Sequence, residues 1–250
     1  MKKNNPKILF WDIETFPNIL MSWGLWVDGG LDHKNIITER SIICGSWKWQ
    51  GEKKVWSVHI DHKKPHDDLH VVQWLSDVVA NADAIVHHNG DSFDLRWLRA
   101  RMVFHRLKPL PPVITIDTKK IAKAAFYFNS NKLDYLAQFL GIGSKIKTEF
   151  GLWKDCMAGD AKALDLMVEY NKHDVTLLEK VYNLLVPHIP SKLNKVLFKE
   201  REVCQHCGSH NIQYRGFYYT RSNKFRRYQC TECGTWSHSL KKEKIIVAGV

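Results

Sequence analysis

Two Cys-x-x-Cys pairs, Cys204/Cys207 and Cys230/Cys233, lie near the end of the chain with 22 residues between them. This spacing constrains the fold more than any other feature, because four thiols so arranged suit one tetrahedral metal centre. Gly208 and Gly234 follow the pairs closely and allow the tight turns in which backbone amides face thiolates. A module of about 35 residues has too little core to fold alone, so metal binding would supply its folding energy. The expected cofactor is one structural Zn2+ on Cys204, Cys207, Cys230 and Cys233. His206, His210 and His238 are possible competitors, but four cysteines already fill the site. Disulfide pairing is the poorer reading in a reducing compartment. Cys44 and Cys156 stand alone and read as buried apolar fillers.

The module marks off the last quarter of the chain from a different kind of sequence. Across residues 1–190, strand-like and helix-like segments alternate. Lys7 to Asp12 is a short apolar run suited to a strand covered on both faces. Leu20 to Val27, Ser41 to Trp49 and Lys54 to Ile60 read as an antiparallel meander. Asp68 to Val79, Ser92 to Leu107, Lys132 to Leu140 and Ala161 to Leu185 have helical spacing. Ala84 to His87 and Val113 to Asp117 are further strands. The order predicts an α/β domain, one mixed sheet flanked by helices, over residues 1–190. A charged connector follows over 191–203, then the cysteine module over 204–236. A basic tail runs over 237–250, and its apolar end (Ile245, Ile246, Val247) has no assignment.

Charge follows the same division. The chain carries 37 basic and 26 acidic residues, net +11, and residues 191–250 account for +8 of it. Such a basic segment suits a polyanion, and its other reading is plain solubility. No apolar run approaches the roughly 18 residues of a membrane span, and the N-terminus has no signal-peptide core. The expectation is a cytoplasmic protein with no membrane partner.

Four acidic residues stand out by setting. Asp12 and Glu14, at i and i+2 near the end of an apolar strand, share one sheet face. Two like charges beside a buried strand are costly unless a cation offsets them. Asp94 opens a helix after a short strand, in His88-Asn89-Gly90-Asp91-Ser92-Phe93-Asp94. Asp174 follows Tyr170 by four residues, so both share a helix face. Each residue alone has an ordinary explanation: a strand-end acid, a helix N-terminal charge, a half-buried tyrosine. Together they suit two divalent hard cations acting on a phosphodiester.

The joint pattern resembles the DEDD-type, DnaQ-like 3′–5′ exonucleases, whose fold is ribonuclease-H-like. Asp12-Ile13-Glu14-Thr15 is similar to the first motif, His88 to Asp94 to the second, and Tyr170-x-x-x-Asp174 to the third in its tyrosine subclass. His173 does not fit the histidine subclass. Ile116-Asp117-Thr118 and Leu133 to Ile142 also look like the family, and Met167 to Tyr182 is similar to its bacterial and phage branch. The resemblance spans residues 7–186. It implies two Mg2+ or Mn2+ ions, with Asp12 bridging both, Glu14 and Asp174 completing one site and Asp94 holding the second through water. Tyr170 would orient the attacking water. Thr15 and Phe16 would contact the 3′-terminal nucleotide, with Asn89 at the same pocket.

The cysteine module itself resembles a zinc ribbon. Ile212 to Tyr228 reads as a hairpin with Arg221 to Lys224 near its tip, interleaving bases with aromatics. Arg221, Lys224, Arg226 and Arg227 are the expected strand contacts, about half of the aromatics are structural, and Trp236 is expected in the core. Nine of the ten tryptophans precede residue 154 and read as packing, Trp97 alone being a candidate near substrate. The expected function is a two-metal-ion 3′–5′ exonuclease that cuts single-stranded DNA, or RNA second, to nucleoside 5′-monophosphates. A polymerase or another replication or repair protein is a possible partner. The competing readings are a structure-specific endonuclease and a non-catalytic nucleic-acid or polymerase docking module.

Overall fold

The structure is a computed structural model and describes residues 5–190, 192–199 and 202–243. Contacts divide it into a larger unit, Ile8–Val181, and a smaller one from Tyr182 onward that also takes the residues up to Lys7.

The larger unit is built on β1 (Ile8–Thr15), a strand buried along its length except where Asp12 and Glu14 interrupt the pattern. It is followed by β2 (Ile19–Leu20), β3 (Ile36–Thr38), β4 (Ile42–Trp49), β5 (Trp56–His59) and α1 (Leu69–Ala80). Next come β6 (Ala84–His87), α2 (Asp94–Phe104), β7 (Ile114–Asp117) and α3 (Thr118–Ala125). The helices α4 (Leu133–Phe139), α5 (Phe150–Met157) and α6 (Ala161–Leu185) complete the series. The five-stranded sheet has the order β5-β4-β1-β6-β7. β1 pairs antiparallel with β4 and parallel with β6, which pairs parallel with β7. This is the mixed, helix-flanked sheet of a ribonuclease-H-like fold. Its core gathers Leu9, Trp11, Ile43, Leu75, Ile85 and Leu98, with Cys44 and Cys156 buried among them. Gly45 lets α1 approach the sheet, since a Cβ there would lie 2.6 Å from the Leu75 side chain.

One strand expectation fails. Leu20 to Val27 is no meander strand, because β2 ends at Leu20 and the residues after it form a loop. Trp23, Leu25 and Trp26 are almost wholly exposed there. Apolar content without alternation or a pairing neighbour does not make a strand. Two short helices were also not foreseen, α3 and α5. The first is capped by the Asp117 carboxylate, which accepts from the amides of Lys119 and Lys120.

A buried ion cluster ties α1, α2 and β4 together. Arg101 donates to both oxygens of Asp68, through Nε at 2.8 Å and Nη2 at 2.7 Å. The same carboxylate lies 2.6 Å from His105 Nε2 and accepts from the Ile42 amide at 2.9 Å. Burial opposes the charge on Asp68, but these partners outweigh it and hold the carboxyl below its ordinary range. We expect Asp68→Ala to cost about 3–5 kcal/mol by chemical denaturation, because it strands a buried guanidinium. Replacing both partners, Asp68→Leu with Arg101→Met, is expected to recover most of that loss. A single-variant cost below about 1 kcal/mol would contradict this.

The smaller unit carries a three-stranded antiparallel sheet, β8 (Ile212–Tyr219), β9 (Lys224–Cys230) and β10 (Trp236–Lys242), in the order β10-β9-β8. The anticipated hairpin is β8-β9. Ser237 to Lys242, expected in a tail, instead belongs to β10, where Ser237 pairs with Tyr228 and His238 with Arg227. Trp236 is not in the core but 45% exposed. Ile245, Ile246 and Val247 lie outside the described residues.

Candidate active site and cysteine centre

Three of the four expected carboxylates converge. Oxygens of Asp12, Glu14 and Asp174 all lie within 4.8 Å of one another. β1 supplies the first two and α6 the third. The helix is tied to the sheet by the ion pair of Lys48 on β4 with Glu179 on α6. Asp94 stands beside this trio but outside that distance, and its Oδ1 accepts from the Ile13 amide at 3.0 Å. It therefore touches the backbone between the two β1 acids.

Asp94 owes its place to a locked turn. Asp117 accepts from the amides of Asn89 and Asp91, at 2.9 and 3.3 Å, across the loop that leads into α2. Trp11 Nε1 donates to His87 Nδ1 at 3.3 Å, so His87 Nε2 carries the proton and donates to Asp91 at 3.0 Å. Lys120 takes the other Asp91 oxygen at 2.8 Å. A Cβ on Gly90 would sit 2.3 Å from the His87 ring, so only glycine fits. His87, Asp91 and Asp117 could also converge on an ion, but these hydrogen bonds already engage them. The cluster works as a clamp on the turn.

Two residues at the site were missed in the sequence. Lys145 Nζ donates to Asp174 Oδ2 at 2.5 Å and to the Tyr170 hydroxyl at 3.1 Å. Asn171 Nδ2 donates to Asp12 Oδ2 at 2.7 Å. Asn171 precedes Asp174 by three residues on α6, so a closer look at that helix face could have found it. Lys145 lies in a loop with no periodicity and gave no signal. Tyr170 is buried, packs edge-on against Trp153 and also hydrogen-bonds Asp174.

The electrostatics are those of a site short of positive charge. Burial, then Asp94, Asp174 and Glu14, push the Asp12 carboxyl well up. Burial and Asp174 raise Glu14 to about 8. Burial raises Asp94 to about 6, against the pull of the Ile13 amide. Burial also raises Asp174, although Lys145 opposes it. On Lys145 burial works against the charge, but Asp174 and Asp12 prevail and hold the ammonium above its ordinary range. Asp174 Oδ1 is buried without a hydrogen-bond partner among the described residues. Three carboxylates around one ammonium, with Asp94 beside them and a buried oxygen left over, fit hard divalent cations.

Beside Glu14 lies a cavity of about 260 Å3 lined by Thr15, Phe16, Pro17, Arg40, Phe150 and Trp153. Thr15 and Phe16 thus meet there, although Phe16 is almost wholly buried. Asn89 is not part of its lining and adopts a left-handed backbone, φ 71°. Trp97 does not line it either, but supports the guanidinium of Arg40, 4.9 Å from its ring centre.

In the smaller unit the four cysteine sulfurs gather within 4.8 Å of one another. Cys204 and Cys233 Sγ are 3.7 Å apart, and Cys207 and Cys230 Sγ are 3.6 Å apart. Four thiolates at about 2.3 Å from a common centre are spaced about 3.8 Å, so these two spacings are those of a tetrahedral ion. Gly208 and Gly234 have φ of 79° and 73°, and their amides close turns onto the carbonyls of Cys204 and Cys230. The cluster and its strands fit a zinc ribbon. Of the expected contact residues, Lys224 lies over Phe217, Arg226 over Tyr214 and Arg227 over Trp236. Arg221 is exposed at the turn between β8 and β9.

Comparison with known proteins places this geometry. No curated protein sequence matches the chain. Among solved structures, the family B DNA polymerase from the hyperthermophilic archaeon Pyrobaculum calidifontis shares the fold at a TM-score of 0.52 and 14% identity. The match covers 89% of this chain, which spans only 32% of that polymerase. The RNase_H_2 family model matches residues 29–186, which include Asp94, Lys145, Tyr170 and Asp174. Asp12 and Glu14 precede the matched stretch and join the site through the pairing of β1 with β4 and β6. The match takes in most of the chain, and the chain belongs to the RNase H superfamily.

Proposed function

We propose that the chain is a metal-dependent 3′–5′ exonuclease that removes nucleoside 5′-monophosphates from single-stranded nucleic acid, DNA before RNA. The observation that carries this reading is the meeting of Asp12, Glu14 and Asp174, from a strand and a distant helix, with Asp94 alongside. These four would hold two Mg2+ or Mn2+ ions, which when bound supply charge neutralisation of the scissile phosphodiester and activation of a water. Asn171 fixes the rotamer of Asp12 and leaves its other oxygen free to ligate. Lys145 holds Asp174 and the Tyr170 hydroxyl together, so that hydroxyl can orient a water beside the carboxylates. The cavity next to Glu14 takes the terminal nucleotide, and Arg40 offers its phosphate a cation. In the smaller unit, Cys204, Cys207, Cys230 and Cys233 would hold one structural Zn2+, which when bound would supply the ribbon's folding energy, and the ribbon grips the strand.

The test couples cation and pH. The acids have raised pKa values, so without cation their contribution to stability is greatest at low pH. It falls as pH rises through about 6 for Asp94 and about 8 for Glu14. Protons and cations compete for the same oxygens. Added Mg2+ should therefore raise the melting temperature more at pH 8.5 than at pH 6. Hydrolysis of thymidine 5′-p-nitrophenyl phosphate should require the ion. A rate independent of added cation would contradict the proposal.

A further inference from the structure

The two faces of the ribbon sheet differ in kind. Side chains alternate along β9, so Lys224, Arg226 and Tyr228 share one face while Phe225, Arg227 and Gln229 share the other. On the first face the cations lie on Phe217, Tyr219 and Tyr214, and Tyr228 is buried. The second face borders a cavity of about 770 Å3. One wall is the ring pair Tyr218/His238, with centroids 4.5 Å apart and planes inclined by 2°. Another is Trp236, with the Arg227 guanidinium 4.8 Å from its ring centre. Pro187 and Pro190 close a third side.

These walls are tied together. Thr235 Oγ1 donates to the Pro187 carbonyl at 3.2 Å, and Gln205 Nε2 donates to the His238 carbonyl at 2.7 Å. Arg227 Nε donates to the Arg215 carbonyl at 3.1 Å, which sets the guanidinium plane, and among the described residues its terminal nitrogens meet no hydrogen-bond acceptor. Tyr218 and Trp236 are 44% and 45% exposed, so large flat aromatic surfaces face solvent inside a concave site. Among the described residues no acidic side chain lines it.

We infer that this cavity holds an unpaired base of a bound single strand, stacked on Trp236 and the Tyr218/His238 pair, with Arg227 on the adjoining phosphate. A volume within the range of small-ligand sites accommodates one nucleotide. Flat rings suit any base, and a guanidinium without a neighbouring carboxylate suits a phosphodiester. A proline-rich peptide would use the aromatic walls but not the cation. The choice of a nucleic acid as occupant rests on the proposed nuclease activity.

The test uses the full chain with Asp12→Asn, which removes turnover from the measurement. Its affinity is read by fluorescence anisotropy for a labelled 12-nucleotide oligothymidylate and for an equally long strand of abasic residues. Trp236→Ala should weaken binding of the base-bearing strand about 10-fold and that of the abasic strand less than about 2-fold, with Trp236→Phe restoring most of the loss. Zinc content is measured alongside. If Trp236→Ala loses the metal, Tyr218→Ala decides by the same readout. Equal losses on both strands, or no loss on the base-bearing strand, would overturn the inference, and the latter is what peptide docking predicts. Failure of catalysis would show separately, as no hydrolysis of the small ester by the unsubstituted chain.

Discussion

Asp12→Ala and Asp174→Ala should each lower hydrolysis by about 10³-fold or more, the scale of losing a group that acts chiefly in the transition state. Fold loss is not the expected cause. Burial holds both side chains above their ordinary carboxyl range, reinforced on Asp12 by the neighbouring acids and opposed on Asp174 by Lys145, so in the metal-free chain each charge opposes folding at neutral pH. Asp12→Asn should therefore melt at the same temperature as the parent or higher at pH 8 without added cation, while added Mg2+ raises it less. Asp174→Ala has a second consequence, because it removes the partner that Lys145 shares with Tyr170. Near-parental hydrolysis by either alanine variant would place the chemistry elsewhere. A variant that melted far below the parent would mean that the acids build the fold rather than the site.

Loss of one cysteine should have the larger structural effect. The smaller unit buries few large side chains in its sheet; Tyr228 and the cysteine turns are its centre, while Tyr219, Trp236 and Leu240 face solvent. A zinc–thiolate centre contributes about 10–16 kcal/mol to folding in small modules at neutral pH, which no such core could replace. Cys230→Ser should thus release the metal, abolish amide protection across β8–β10 and weaken strand binding, flattening its salt dependence. Hydrogen exchange read by mass spectrometry resolves this segment by segment. Unchanged protection in β8–β10 would show that the sulfurs do not hold the sheet together. Unchanged strand affinity with protection lost would assign the ribbon to protein docking instead.

Most of the candidate site's geometry was legible in the sequence because it is local. Period-two alternation alone sets Asp12 and Glu14 on one face of β1, and period 3.6 sets Tyr170 and Asp174 on one face of α6. The paired Cys-x-x-Cys turns were equally readable, since their spacing is fixed by coordination chemistry. What escaped was long-range or unpatterned. Lys145 reaches Asp174 from a loop 29 residues earlier, and Asn171 reaches Asp12 across 159 residues. No periodicity connects such pairs. The failed strand at Leu20 to Val27 has the same origin in reverse, because its apolar residues found no neighbouring strand to pair with. Trp236 was misplaced because a tryptophan in a small module reads as core, whereas a three-stranded sheet leaves one of its faces largely open.

The central claim is tested most directly by digesting a 5′-labelled single strand of DNA, and the same sequence as RNA, with Mg2+, with Mn2+ and with neither. A descending ladder of labelled products that appears only with added cation, faster on DNA, is the predicted result. Intact strands in every lane, or a ladder that persists without cation, would contradict the assignment of Asp12, Glu14, Asp94 and Asp174 to a metal-dependent exonuclease site.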